Sequence, residues 1–334
     1  MFKSMRRVVL STAVAGLAWA GTAQANEPRE LNFGIISTES SQNLKAQWDP
    51  FLAAMSEQTG MEIKAFFAPD YAGIVQGMRF DKVDVAWYGN KSAMEAVDRA
   101  GGEIFMQTVA ADGSPGYWSL LIAHKDSPVN SVEDMLQNAK NLTFGNGDPN
   151  STSGFLVPSY YVFAQNNVDP KQIFKRTLNA SHEVNALSVA NKQVDVGTFN
   201  TETLERLELT NPEKAKDLKV IWKSPLIPAD PIVWRKNLPE ATKKKINDFF
   251  TNYGANATEL AVLKDLQWGK FRVSNDDQLL PIRQLELFKK RSQIAADSTL
   301  SDSEKQAKLT GIDTELGKLE ARMAALDKKV ANAK

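Results

Sequence analysis

The sequence contains no cysteine and only two histidines among its 334 residues. Without cysteine the chain can form no disulfide, and it has neither a thiol nucleophile nor a thiolate metal ligand. Two histidines, His124 and His182, are too few for a polyhistidine zinc site, and we expect His124 to lie at the surface. The 40 Lys and Arg residues are balanced by 40 Asp and Glu. The charge therefore gives no indication of nucleic-acid binding.

The chain also lacks the local motifs of common catalytic sites. It contains no Gly-x-Ser-x-Gly, no His-Glu-x-x-His, no Walker loop and no Gly-x-Gly-x-x-Gly. His182 could serve as a general base, but no nucleophile can be identified beside it. These absences favour a binding protein without catalytic residues, metal or cofactor over an enzyme.

The N-terminus has the features of a secretory signal peptide. Lys3, Arg6 and Arg7 precede an apolar run over residues 8–20, and Ala-Gln-Ala follows at residues 23–25. We therefore predict a signal peptide over residues 1–25. No later segment approaches the roughly 18 consecutive apolar residues of a membrane span, and a cysteine-free exported chain fits a bacterial periplasm. The mature protein is expected to be soluble and periplasmic.

Strand and helix patterns repeat along the mature chain and predict an α/β protein. Apolar strands over residues 31–37, 61–67 and 82–88 alternate with helical segments, which implies a parallel sheet. Residues 192–199, KQVDVGTF, resemble residues 82–88, KVDVAWY, and each segment is followed within two residues by an Asn. The mature chain is also too long for one hydrophobic core. Two lobes with a shared plan are the prediction, and chance similarity of two common strand patterns is the alternative.

A short segment in the second half of the chain predicts an anion site. Residues 144–156, FGNGDPNSTSGFL, indicate a strand, a turn and the start of a helix. The first turn of a helix has unpaired N–H groups and partial positive charge, so Ser151, Thr152 and Ser153 could hold an oxyanion. The simpler alternative is that Asn150 or Ser151 only caps the helix.

Two apolar segments, residues 117–123 and 220–234, are candidate crossovers between the lobes and would together form a hinge. The predicted division is lobe 1 over residues 26–118 and 230–295, lobe 2 over residues 119–229, and a C-terminal helix over residues 296–334. That helix carries apolar residues spaced alternately by three and four, as in the seam of a coiled coil. The seam could pair with a second copy of the chain or pack on its own lobe. Its residues are Leu309, Ile312, Leu316, Leu319, Met323, Leu326 and Val330.

Several long motifs, taken together, resemble the periplasmic phosphonate-binding protein of bacterial ABC importers. They are LNFGIISTES at 31–40, FFAPDYAG at 66–73, VDVAWYG at 83–89, DGSPGYW at 112–118 and GNGDPNSTSG at 145–154. The resemblance covers essentially the whole mature chain. It implies the two-lobed periplasmic-binding-protein fold, type II-like, with two hinge crossovers and a helical tail. It also implies capture of a phosphonate and delivery to a permease in the inner membrane.

The resemblance further implies which residues bind the ligand. Phosphonate oxygens would be held by the hydroxyl cluster, two tyrosines and one histidine: Ser151, Thr152, Ser153, Tyr71, Tyr117 and His182. Glu202 and Asp230 would take an ammonium group, as in 2-aminoethylphosphonate, and would repel a second anion. Three alternatives remain open at this point. They are a binder of phosphite or phosphate esters, an exported enzyme with His182 as base, and a sensor or scaffold protein built on the tail.

Overall fold

The computed structural model describes residues 30–332, with side chains up to residue 329, so the predicted signal peptide and the Val330 side chain lie outside the described residues. The strands are β1 (Glu30–Ile35), β2 (Glu62–Phe66), β3 (Val85–Trp87), β4 (Gly102–Gln107), β5 (Gly116–Tyr117), β6 (Ser119–His124), β7 (Thr143–Gly147), β8 (Arg176–Ala180), β9 (Val196–Asn200), β10 (Leu218–Lys223), β11 (Ile227–Pro228), β12 (Pro231–Arg235) and β13 (Arg272–Val273). The α-helices are α1 (Ser41–Thr59), α2 (Tyr71–Arg79), α3 (Asn90–Arg99), α4 (Val132–Asn138), α5 (Pro170–Ile173), α6 (His182–Ala190), α7 (Thr201–Thr210), α8 (Pro212–Lys216), α9 (Glu240–Asn252), α10 (Ala257–Asp265), α11 (Leu280–Ala296) and α12 (Asp302–Asn332).

The first lobe is built on a six-stranded sheet in the order β13-β4-β12-β3-β1-β2. Strand β1 pairs in parallel with β2 and with β3, as the alternation of strands and helices predicts. Strand β12 is antiparallel to both of its neighbours, β3 and β4. The chain therefore returns from the second lobe to complete the middle of the first sheet.

Helix α1 covers one face of this sheet. It begins after Ser40, whose side chain accepts a hydrogen bond from the Asn43 N–H, and ends at Gly60, which has a φ of 68°. A left-handed residue at that position ends a helix, and glycine adopts it without steric cost. Trp48, Phe51 and other apolar residues at helical spacing pack against the buried residues of β1.

The second lobe is built on a five-stranded sheet in the order β10-β6-β9-β7-β8. Strand β7 is parallel to β8 and β9, whereas β6 is antiparallel to β9 and β10. His124 ends the fully buried strand β6 and is only 8% exposed. The prediction that His124 lies at the surface is therefore wrong, because the neighbouring strands cover this position.

A two-stranded antiparallel ribbon of β5 and β11 lies between the two sheets. At Gly116 an added Cβ would lie 1.9 Å from the carbonyl oxygen of Ile227, so only glycine permits this close pairing. The lobe boundaries predicted from the sequence, 118/119 and 229/230, fall beside this ribbon. The two crossovers are thus hydrogen-bonded to each other.

The C-terminal helix α12 packs antiparallel to α11. Arg291 Nε donates to Asp313 Oδ1 over 2.8 Å, and Arg322 pairs with Asp277 further along. Within the apolar seam Leu316 is 7% exposed, while the described seam residues on either side of it are only partly buried. The seam therefore packs, at least in part, on its own chain. Among residues 30–332, no helix combines the length and the apolar character that crossing a membrane requires.

Candidate functional site

The predicted anion-binding segment follows the carboxyl end of β7, where ligands collect in open α/β sheets. Ser151 Oγ accepts a hydrogen bond from Gly154 N over 2.9 Å, and Leu156 N donates to Ser151 O over 3.1 Å. The helix therefore begins with a wide π-type turn over Thr152–Leu156. Ser151 does cap the helix. The N–H groups of Thr152 and Ser153 belong to its first turn, where N–H groups have no intrahelical acceptor, so the cap leaves them available to an anion.

His182 lies against the hydroxyl groups of this turn, with its Nε2 at 3.4 Å from both Ser151 Oγ and Ser153 Oγ. Asn200 Oδ1 accepts the Thr203 N–H over 2.7 Å, which directs the Asn200 Nδ2 donor towards Ser153 Oγ at 3.1 Å and His182 Nε2 at 3.3 Å. Burial lowers the pKa of His182 to about 4. The imidazole is thus neutral at neutral pH, and it adds no positive charge to the site.

The first lobe reaches the same turn through two contacts. Lys91 N donates to Thr152 Oγ1 over 2.8 Å, and this leaves the hydroxyl proton of Thr152 free to donate elsewhere. The buried Tyr71 phenol lines the cavity together with Ser151, and burial raises the pKa of Tyr71 above its ordinary value. Tyr71 N also donates to Asp148 Oδ2 over 3.2 Å. Neutral hydroxyl and N–H groups from both lobes therefore surround the turn.

Two carboxylates, Glu202 and Asp230, also line the cavity. Tyr117 donates its hydroxyl proton to Asp230 Oδ1 over 3.0 Å, and Asn90 Nδ2 lies 3.3 Å from the same oxygen. Burial and then the nearby Glu202 raise the pKa of Asp230 well above its ordinary value. Burial and then Glu205 raise the pKa of Glu202 to about 7. A cation placed between these carboxyls would favour their charged forms and so lower both raised pKa values.

All eight residues predicted from the sequence line one cavity of about 50 Å³ between the lobes. Such a volume holds only a few water molecules, so a ligand enclosed there must be small. Tyr117 lies at the carboxylate end beside Asp230, whereas the sequence-based interpretation assigned it to the phosphonate oxygens.

The sequence-based interpretation missed several residues of this cavity. Asn200 lines the cavity, and Asn90, which does not, supports the lining residue Asp230 through its Nδ2. Both stand at the end of the repeated sequence module, and this shared position was the signal that could have identified them. Trp87, at the carboxyl end of β3, lines the cavity and has a buried Nε1–H without an acceptor among the described residues. Trp48 and Trp268 pack within 6 Å of its ring, measured between ring centroids at 5.5 and 5.9 Å. The three indoles form one wall of the site.

The chain matches the family described as "ABC transporter, phosphonate, periplasmic substrate-binding protein" over residues 33–279. It is 64% identical over 300 residues to the phosphonates-binding periplasmic protein of Escherichia coli (strain K12), covering 90% of this chain and 88% of that one. The crystal structure of a binding protein component of an ABC phosphonate transporter from Pseudomonas aeruginosa is 72% identical, with a TM-score of 0.89 over 90% of this chain and 100% of that chain. PhnD1 of Prochlorococcus marinus (MIT 9301), solved in complex with methylphosphonate, is 22% identical with a TM-score of 0.69, covering 78% of this chain and 97% of that one, and supports the fold alone.

Proposed function

This chain belongs to the periplasmic substrate-binding proteins of phosphonate ABC transporters, and from that premise we propose that it captures 2-aminoethylphosphonate and related alkylphosphonates. Members of this family are transporter components that bind substrate and are not enzymes. The observation that supports the finer assignment is the polarity of the cavity. Hydroxyl groups and a helix N-terminus line it together with two carboxyl groups, Glu202 and Asp230. We assign the hydroxyl groups to one end of the ligand and the carboxyl groups to the other.

At the first end, the phosphonate oxygens would be bound by Ser151, Thr152 and Ser153, with help from Tyr71 and His182. A phosphonate has three acceptor oxygens and carries one to two negative charges near neutral pH. Backbone N–H groups, hydroxyls and the partial charge of the helix suit such a group. Because His182 is neutral, the site binds the anion through directed donors rather than through a full opposite charge.

At the second end, the ammonium group of the ligand would lie between Glu202 and Asp230, with Tyr117 holding Asp230 in place. Both carboxyls have raised pKa values because they are buried. A neighbouring carboxyl adds to the effect in each case, Glu205 for Glu202 and Glu202 for Asp230. An ammonium group supplies donors and a positive charge to both of them. An anion without an ammonium group leaves the pair uncompensated, and this favours zwitterions over inorganic phosphate.

Capture would proceed by closure of the two lobes about the β5–β11 ribbon, with lobe boundaries at 118/119 and 229/230. The ligand contacts both lobes only in the closed form and so stabilises it. The closed protein would then deliver the ligand to the permease in the inner membrane. Export to the periplasm would use the signal peptide over residues 1–25.

We also propose that the tail can join two copies of the chain. The seam residues on either side of Leu316 remain partly exposed although α12 packs on α11. Light scattering of the intact protein should show a dimer, and deletion of residues 300–334 should give a monomer that binds ligand with unchanged affinity. An intact protein that is monomeric would contradict this pairing.

The ligand assignment is tested by titration calorimetry with 2-aminoethylphosphonate, methylphosphonate, phosphite and phosphate. We expect 2-aminoethylphosphonate to bind most tightly and phosphate most weakly. The double variant Ser151→Ala/Thr152→Ala should lose binding of both phosphonates, whereas the control Ser188→Ala on α6 should not. Tighter binding of phosphite or phosphate than of either phosphonate would refute the assignment.

A further inference from the structure

The N-terminus of helix α1 is capped by a side chain from the opposite lobe. Ser40 Oγ accepts the Asn43 N–H over 3.3 Å, as a helix-capping serine does. The Ser40 N–H donates to Glu183 Oε2 over 2.7 Å, and Asn43 Nδ2 donates to Glu183 Oε1 over 2.6 Å. Glu183 stands in the first turn of α6 in lobe 2, some 140 residues away along the chain.

These bonds reproduce a capping box whose glutamate comes from another helix. In an ordinary capping box the glutamate stands three residues after the capping serine and accepts the N–H of that serine. Here that position is Asn43, and the first turn of α1 contains no acidic residue. Glu183 therefore supplies both the missing acceptor and the negative charge that a helix N-terminus favours.

The contact lies at the rim of the cleft, outside the ligand cavity. Glu183 does not line the cavity, but it directly follows His182, which does. The Glu183 N–H also donates to Thr38 O over 3.2 Å. An ion pair also joins the lobes close by, between Glu39 Oε1 and Arg206 Nε at 3.1 Å. Closing the lobes thus completes the α1 cap and fixes the first turn of α6, with His182 facing the anion site.

We propose that Glu183 is a positioning residue for ligand capture, which stabilises the closed form by capping α1 across the cleft. The proposal rests on the proposed function in one respect, namely that phosphonates are bound between closed lobes. The Glu183 side chain does not line the cavity, so we expect its substitution to affect different ligands to the same extent. When the lobes open, the Ser40 N–H and the Glu183 carboxylate are hydrogen-bonded to water instead. The stabilisation from these hydrogen bonds is therefore present only in the closed form.

The test compares Glu183→Gln with the control Glu133→Gln, which removes an exposed glutamate from the first turn of α4 in the same lobe. Affinities and dissociation rates are measured with 2-aminoethylphosphonate and with methylphosphonate. Glutamine keeps one acceptor oxygen but loses the negative charge and the second acceptor that the two bonds use. Glu183→Gln should therefore weaken both ligands by about five- to tenfold, mainly through faster dissociation. The ratio of the two affinities should stay unchanged, and Glu133→Gln should behave as wild type. Asn43→Ala should give part of the loss, and combining it with Glu183→Gln should cost less than the sum of the two.

A measurement of lobe closure separates this proposal from the ligand assignment. The chain has no cysteine, so Glu57→Cys in lobe 1 and Lys171→Cys in lobe 2 allow two spin labels to be placed without background. Glu183→Gln should shift the label distances towards the open form at equal ligand concentration. Unchanged affinities and distances would overturn the proposal, as would a loss confined to 2-aminoethylphosphonate, which indicates direct contact with the ammonium group. If the wild type bound neither phosphonate, the proposed function would fail, and the distances without ligand would decide the role of Glu183.

Discussion

Replacing Glu202 by glutamine should stabilise the ligand-free protein and weaken its binding of aminoalkyl ligands. Glu202 is partly buried, and its pKa is raised from 4.5 to about 7. A carboxyl with a raised pKa in the folded state binds its proton more tightly there than in the unfolded chain. The folded state therefore loses stability as the pH rises from about 4.5 to about 7, and the loss is complete above that range.

The size of this loss follows from the shift. Each pKa unit corresponds to about 1.4 kcal/mol, so Glu202 costs the wild type up to about 3 kcal/mol at pH 8. Glu202→Gln removes that cost, and it also lowers the pKa of Asp230 by removing a neighbouring negative charge. The stability advantage of the variant should thus be near zero at pH 4.5 and greatest at pH 8. The same substitution should remove the proposed charge-assisted hydrogen bond to an ammonium group. Such a bond is worth roughly 1.5–3 kcal/mol, or about ten- to a hundredfold in affinity.

Two assays test the reasoning. Urea unfolding of the ligand-free protein between pH 4.5 and 8 measures the stability difference, and calorimetry at pH 8 compares 2-aminoethylphosphonate with methylphosphonate. Glu208→Gln is the matched control, because Glu208 is exposed on the same helix. A stability difference that does not change with pH would refute the burial argument. Equal weakening of both ligands would refute the assignment of Glu202 to the ammonium group.

Two further substitutions probe the ribbon and the support of the anion site. Gly116→Ala places a Cβ 1.9 Å from the Ile227 carbonyl oxygen and should lower the free energy of unfolding by about 2–4 kcal/mol in urea titrations. The control Gly311→Ala has open space around it on α12 and should raise the free energy of unfolding by about 0.5–1 kcal/mol. Equal values for the two variants would count against a tight ribbon. Asn185→Ala removes the Nδ2 donor that lies 3.1 Å from each of the carbonyl oxygens of Gly145 and Asn146, and it should lower the free energy of unfolding by about 1–3 kcal/mol. An unchanged urea midpoint would show that these carbonyls find other donors.

Local patterns were sufficient to predict much of the fold. The apolar runs that became β1, β2, β3 and β9 are bounded by turn residues, so their periodicity reports burial directly. The same holds for the turn before Ser151, where composition alone indicates a helix start. The family resemblance, rather than any local pattern, supplied the other candidate ligand-binding residues, which are Tyr71, Tyr117, His182, Glu202 and Asp230.

Features that depend on distant parts of the chain could not be predicted in this way. The apolar seam of the tail indicates that it needs a partner, but nothing local says that α11 provides one. His124 follows an apolar strand with polar residues after it, and only the neighbouring strands decide that it is buried. Glu183 has the same sequence signature as any solvated glutamate in a first helical turn, and its partners lie more than 140 residues away.

The position of β12 has a consequence for the order in which the lobes can become stable. Strands β3 and β4 are each hydrogen-bonded to β12 and not to each other, so before residues 231–235 are available the first sheet consists of two separate pieces with unpaired edges. All strands of the second sheet, by contrast, lie between residues 119 and 223. The chain is synthesised from its N-terminus onwards, so the second lobe can complete its sheet before the central strand of the first lobe, β12, is available. The first lobe is therefore the part whose exposed strand edges are open to aggregation during synthesis and export.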